Sequence, residues 1–231
     1  MNFHCLFEQS GTFKNVLKQH GHQAYDYDIL NDYKQTDNQI DLFGEIQKAW
    51  DKLVNGKSYS SIFDNMKPGE DFILAFYPCT YFSHQNEAVF KGHRGGEVHN
   101  SSADDIKYII NREYRRARYF ELFLKFCYVV QELKIPTIIE NPYGPNGHNY
   151  LNLYSPYRPM YVDMNRSLFG DDKIKPTMFF AINYPMKEQF VWYTQSLTPT
   201  RPVENLTQRK RSEIRPEYAD SFIKRFLGGV K

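Results

Sequence analysis

The chain predicts an α/β domain, a doubly wound and mostly parallel sheet with helices on both faces, and two observations carry that expectation. Short apolar runs alternate with helix-like segments over residues 1–142, and such alternation builds βαβ units whose parallel strands need a crossover between them. Each apolar run also ends in polar or reactive residues, and in this architecture ligands sit outside the carboxyl ends of the strands. The five exits read EQSGTF, DYD, IDLF, YPCTYFS and ENPYG.

FHCLF, residues 3–7, is the first strand, stopped by EQSGTF. KNVLKQHG follows as a helix, because Val16 and Leu17 lie at helical spacing from Phe13, and Gly21 ends it. QAYDYD, residues 23–28, is a second strand that closes in acids; QIDLF, residues 39–43, is a short third one. EIQKAWDKLV is a helix stopped by Asn55 and Gly56. DFILAF, residues 71–76, is the fourth strand, and the stretch after it, SHQNEAVFKGHRGGEVHNSSAD, holds too much Gly, His and Asn for a regular element. At Ser102, with Asp105 as the capping-box partner, a helix begins that runs to about Leu133. IPTIIENP is the fifth strand, with a proline stop. The chain has no internal repeat and no low-complexity segment.

Composition narrows the function classes. A chain of 231 residues with 41% hydrophobic content can bury the core of one sizeable domain. Aromatics reach 16%, with 18 Tyr and 18 Phe against 2 Trp, which suits a ligand with flat rings. A net charge of +2 argues against binding polyanions by bulk charge, so partners must be read locally. Cys5, Cys79 and Cys127 are an odd, widely spaced set without a CxxC pair, which excludes a disulfide framework and a zinc ribbon. The amino terminus lacks a basic, apolar leader, and no run approaches the roughly 18 apolar residues of a membrane span. A reduced, cytoplasmic protein without membrane association is expected.

The exits supply candidate site residues. Gly11 can bring backbone close to a ligand at a helix start, with Ser10 and Thr12 as caps, although a lone glycine there is most often a turn. Asp28 lies about 20 residues past that loop, where a strand-end acid accepts from a ribose diol; a solvated strand-end Asp is the alternative. Asp41 at the third exit can accept from an adenine amine, with Phe7 or Leu42 flanking the ring. Together they outline a pocket for an adenosine-like cofactor. Cys79 alone reads as a small buried hydrophobe. Glu140 alters that reading, because an acid in a buried strand needs a partner or a raised pKa, and a thiolate beside a protonated carboxyl is a catalytic pair.

Taken in order, LFEQSGTF, GHQAYDYDI, FILAFYPCTYFS, IIENP, KPTMFF and RSEIRPEYADSFI resemble the motifs of the cytosine-5 DNA methyltransferases, particularly the short forms carried by phages and mobile elements. The resemblance covers most of the chain, and it implies a Rossmann-like methyltransferase fold, a single domain over residues 1–231, and S-adenosyl-L-methionine as cofactor. It implies that Cys79 attacks C6 of cytosine and that Glu140 contacts N3 and the exocyclic amine. Phe7, Ser10, Gly11, Thr12, Asp28, Ile29, Asp41, Leu42 and Pro78 are the implied cofactor residues. Ser83, Asn141, Pro142, Arg116 and Arg166 are the implied substrate residues. DNA is the expected partner, with RNA as the alternative, and no metal is expected.

In such enzymes a loop after the nucleophile closes over an extruded base, and residues 84–100 take that place, with Gly92, Gly95 and Gly96 as hinges. The three histidines there, His84, His93 and His99, match no metal-ligand spacing. Arg112 and Arg116, and likewise Arg115 and Arg118, lie at helical spacing, as phosphate contacts or as a solvated face, and Arg209, Lys210 and Arg211 form a second basic cluster. The chain departs from the family at Gln9, where a glycine is usual, at Tyr77, where a proline is usual, and around Arg166, the nearest echo of an expected arginine motif. Only about 90 residues follow ENP, which leaves little room for a target-recognition domain and predicts low sequence specificity. Two other classes stand beside this one: a homologue that binds without turnover, and an amino-group methyltransferase, since Asn141, Pro142 and Tyr143 resemble part of an Asn-Pro-Pro-Tyr site.

Overall fold

In a computed structural model, the structure describes residues 1–84, 90, 93–94, 97–98, 102–189, 201–202, 210 and 213–230. The strands of the main sheet are β1 (Asn2–Leu6), β2 (Gln23–Asp28), β3 (Asn38–Gln39), β4 (Asp71–Phe76), β5 (Thr137–Pro142), β6 (Tyr161–Asp163) and β7 (Thr177–Ile182). They lie in the order β3-β2-β1-β4-β5-β7-β6. The pairs from β3 to β5 are parallel, while β7 runs antiparallel to both β5 and β6. The fold is therefore α/β with a mixed, mostly parallel sheet, consistent with a Rossmann-like arrangement.

Helices cover both faces of the sheet: α1 (Thr12–Gln19) and α5 (Pro216–Phe226) on one, α2 (Leu42–Asn55) and α3 (Ala103–Glu132) on the other. The period-2 alternation of the strands sorts the core. Phe3, Cys5, Phe72, Leu74, Ile138 and Phe179 pack under α1 and α5; Leu6, Ile73, Ala75, Ile139, Met178 and Phe180 pack under α2 and α3. Full burial of each large apolar side chain contributes roughly 1.5–3 kcal/mol. The expected start of the long helix holds, because Ser102 and Asp105 form a reciprocal capping box. Its buried residues, among them Leu122, Phe123, Phe126, Cys127 and Val130, all lie in its carboxyl-terminal part.

The third strand is shorter than QIDLF suggests. Pairing with β2 stops at Gln39, and the Asp41 carboxylate accepts from Phe43 N (3.1 Å), so Leu42 and Phe43 open α2 instead of continuing the strand. An N-cap acid outweighed a four-residue extension of an edge strand. No helix among the described residues is long and apolar enough to cross a membrane.

Candidate active site

β1 has β2 on one side and β4 on the other, so the sheet's winding reverses between β1 and β4. The carboxyl ends of those two strands flank the crevice where this architecture binds ligands. The first and fourth exits meet there: the Phe7 ring lies 5.3 Å from Tyr77 and 5.4 Å from Phe43. Tyr77, in the place of the expected proline, is buried, and its hydroxyl donates to Tyr119 O (2.7 Å).

The first loop is built differently from the expectation. Gly11 is left-handed (φ 67°), and a Cβ there would meet Gln35 Oε1 at 2.8 Å, so the space the glycine leaves is taken by a side chain of the loop after β2. Lys14 fastens that loop: its ammonium reaches Asp26 and Asp37, each at 3.0 Å. Ser10 Oγ and Thr12 Oγ1 bond each other (3.0 Å). The first amides of α1 are occupied too, because Phe13 N (2.7 Å) and Lys14 N (3.3 Å) donate to the carboxylate of buried Glu8. Burial pushes the Glu8 carboxyl up to about 7, against the pull of those two amides. Gln9, in the place of the usual glycine, is turned toward the same loop and accepts from Asp32 N (3.3 Å).

Asp28 ends β2 partly buried, accepting from Leu30 N (2.8 Å), and burial raises its carboxyl. Ile29 beyond it is exposed. Asp41 caps α2 from an exposed position, and Leu42 is buried in the core. Ile40 N donates to Asp28 O (2.9 Å), which ties the second exit to the third. Phe7, Asp28, Asp41 and Leu42 therefore share the carboxyl edge of β1, β2 and β3.

At the other side of the crevice, β4 and β5 pair with Phe76 opposite Glu140. Pro78, Cys79 and Glu140 are all partly buried, and Glu140 Oε1 is a buried oxygen without a hydrogen-bond partner among the described residues. A narrow, mainly aromatic crevice lies beside it, lined by Phe13, Phe76, Phe179 and Phe222. Burial pushes the Cys79 thiol up, the Lys175 ammonium draws it down, and Glu140 pushes it up again. Cys79 thus rests as a thiol. Its loop turns back on itself, with Phe82 N (3.0 Å) and Ser83 N (3.2 Å) donating to Cys79 O.

Asn141 has a task other than contact with a substrate. It is fully buried, its Nδ2 donates to Tyr77 O (2.8 Å), and its Oδ1 accepts from Asn149 Nδ2 (2.9 Å). Asn149, also fully buried, donates to Pro142 O (2.9 Å), caps α4 (Tyr150–Tyr154) through Leu151 N (2.8 Å), and forms a bridge with Ser83. This clamp fixes the two strand exits against each other. Nothing in GPNGHNY singled out Asn149, and nothing in EQSGTF singled out Glu8.

Arg166 is a correction. It is fully buried, ion-paired with Asp171, with the Tyr218 ring 4.6 Å from its guanidinium, so it belongs to the packing of α5 and offers no surface contact to a phosphate. Arg116 is held between Phe90 (3.9 Å) and Tyr150 (4.5 Å) and pairs with Glu113, whereas Arg115 and Arg118 are exposed on the same helix. The hinge glycines Gly92, Gly95 and Gly96, the side chain of His93, and His99 lie outside the described residues, as do Arg209 and Arg211. No family model matches the chain, and no curated protein matches it.

Proposed function

We propose that the chain is an S-adenosylmethionine-dependent cytosine-5 methyltransferase acting on DNA, with RNA as the other polymer open to the same chemistry. The observation that supports it most is the meeting of Cys79 and Glu140 at the exits of adjacent parallel strands beside the switch point, with Glu140 Oε1 buried and unpartnered among the described residues. An unpaired buried oxygen costs about 1–3 kcal/mol. The exocyclic amine of a cytosine would satisfy it.

Cytosine C5 is a weak nucleophile. Addition of the Cys79 sulfur to C6 forms an S–C6 bond, and with N3 protonated by Glu140 the ring becomes an enamine whose C5 can accept an electrophile. S-adenosylmethionine, when bound, supplies that electrophilic methyl group. Loss of the C5 proton to a base then expels the thiolate of Cys79 and restores the aromatic ring. The residues at this edge suit the adenosine half of the cofactor: Asp28 to accept from the ribose diol, Asp41 to accept from the adenine amine, Phe7 and Leu42 to flank the ring. The methionine end must take donors other than Phe13 N and Lys14 N, which Glu8 already occupies.

DNA carrying 5-fluorocytosine should form a covalent adduct with the protein when S-adenosylmethionine is present, and Cys79→Ser should abolish it. An adduct that survives the substitution refutes the assignment of the nucleophile. The closed first loop is the observation that favours a homologue that binds without turnover. Calorimetry separates the two readings: cofactor binding weakened by Asp28→Ala supports the enzyme, and no binding at millimolar ligand supports the other.

A further inference from the structure

The register of the sheet brings one more charge to the nucleophile's edge. β5 and β7 pair with Pro142 opposite Thr177, and Tyr143 N donates to Pro176 O (2.9 Å), so Lys175 enters just beyond the ENP exit, level with Gly144. The paired register of β4 and β5 ends with Phe76 opposite Glu140, and Cys79 follows three residues later at the same edge of the sheet. Cys79 thus leaves β4 and Lys175 enters β7 on either side of β5, and strands two apart in a sheet are separated by roughly 9–10 Å. A lysine stem spans much of such a gap, and the charge of Lys175 draws the Cys79 thiol down. Lys175 is partly buried and enters no ion pair among the described residues. Arg166, the cation the sequence nominated for this region, is committed to Asp171 elsewhere.

We propose that Lys175 is the counter-charge of the Cys79 nucleophile, a positioning residue that favours the thiolate at the moment of attack. The S–H proton leaves to water, Lys175 stays protonated throughout, and the sulfur lone pair forms the bond to ring carbon. Among the described residues, the charged side chains acting on the sulfur are Glu140 from β5 and Lys175 from the approach to β7; the exit loop YPCTYFS contributes none. The catalytic meaning of this pair rests on the methyltransferase reading, but the pair itself does not.

Alkylation of Cys79 by iodoacetamide across pH, in the full chain, tests it. Cys5 and Cys127 are fully buried, and Cys79→Ala supplies the background rate. An opposite charge at a partly exposed site moves a pKa by about half a unit to one unit, so Lys175→Gln should slow alkylation about three- to tenfold near pH 7.5. Lys175→Met should do the same, Lys175→Arg should keep the wild-type profile, and Glu140→Gln should speed the reaction. A Gln or Met variant that alkylates along the wild-type profile overturns the proposal. So does an Arg variant as slow as Gln. The 5-fluorocytosine adduct reports separately on the methyltransferase reading: the predicted thiol shift without any adduct removes that reading and leaves the pair, whereas an adduct with an unshifted thiol removes Lys175 alone.

Discussion

Asn141 and Asn149 clamp the exit that carries Cys79, the proposed nucleophile. Both are fully buried, and losing the Asn149 amide leaves Asn141 Oδ1 without its donor, at about 1–3 kcal/mol. Asn149→Ala should lower the denaturant midpoint by that amount and, because the clamp joins the two exits, slow adduct formation without a matching change in DNA affinity. Equal losses in both would make the clamp purely structural. Glu8 makes a second prediction, in pH. Its folded pKa, about 7, lies above the ordinary carboxylate value near 4.5, so the folded state holds more protons between those values and stability falls as pH rises through the window. The drop is on the order of 1–3 kcal/mol. Glu8→Gln should flatten melting temperature between about pH 5 and pH 7, and an unchanged slope would contradict the assignment. Asp71 acts in the opposite sense at lower pH: burial raises it, but bonds from His4, Lys67 N and Asn2 outweigh that and hold it below its ordinary range.

Among the elements, α5 shows what the far carboxyl-terminal motif does. From Pro216 on, the segment RSEIRPEYADSFI serves packing. Phe222 and Phe226 close the core under β7, while buried Arg225 forms a two-pronged pair with Asp163 of β6 (3.0 and 2.7 Å), to which Tyr218 also donates. Breaking a buried pair by removing one partner costs roughly 3–5 kcal/mol, and Arg166→Ala should cost about that much while leaving DNA affinity at wild-type level. Weakened DNA binding in a fully folded Arg166→Ala protein would restore the arginine to the interface. The limits of sequence reading are physical here. A strand-end acid such as Asp41 reads alike whether it caps a helix or ends a strand, and only the paired partner decides. An arginine's burial depends on Asp171 and Tyr218, whose approach no local pattern encodes.

At the scale of the molecule, what was legible was whatever local chemistry dictates. The apolar runs FHCLF, DFILAF and TIIENP are strands because both sheet faces are covered, and their exits carry Phe7, Cys79 and Glu140 to one edge. What was not legible came from contacts between distant segments: Gln35 behind Gly11 and Asn149 behind Asn141. After Pro142 the described residues supply β6 and β7 of the main sheet, α5 packed on it, α4 behind Asn149, and a separate pairing of Lys173–Ile174 with Arg201–Pro202. The low sequence specificity expected of the proposed enzyme would be read as methylated cytosines in many sequence contexts when modified DNA is sequenced. The most direct test of the central claim is nucleoside mass spectrometry of DNA and RNA from cells expressing the wild type or Cys79→Ser. The account predicts 5-methylcytosine in DNA with the wild type and background levels with the variant; equal levels in both, or a methylated base other than 5-methylcytosine, would contradict it.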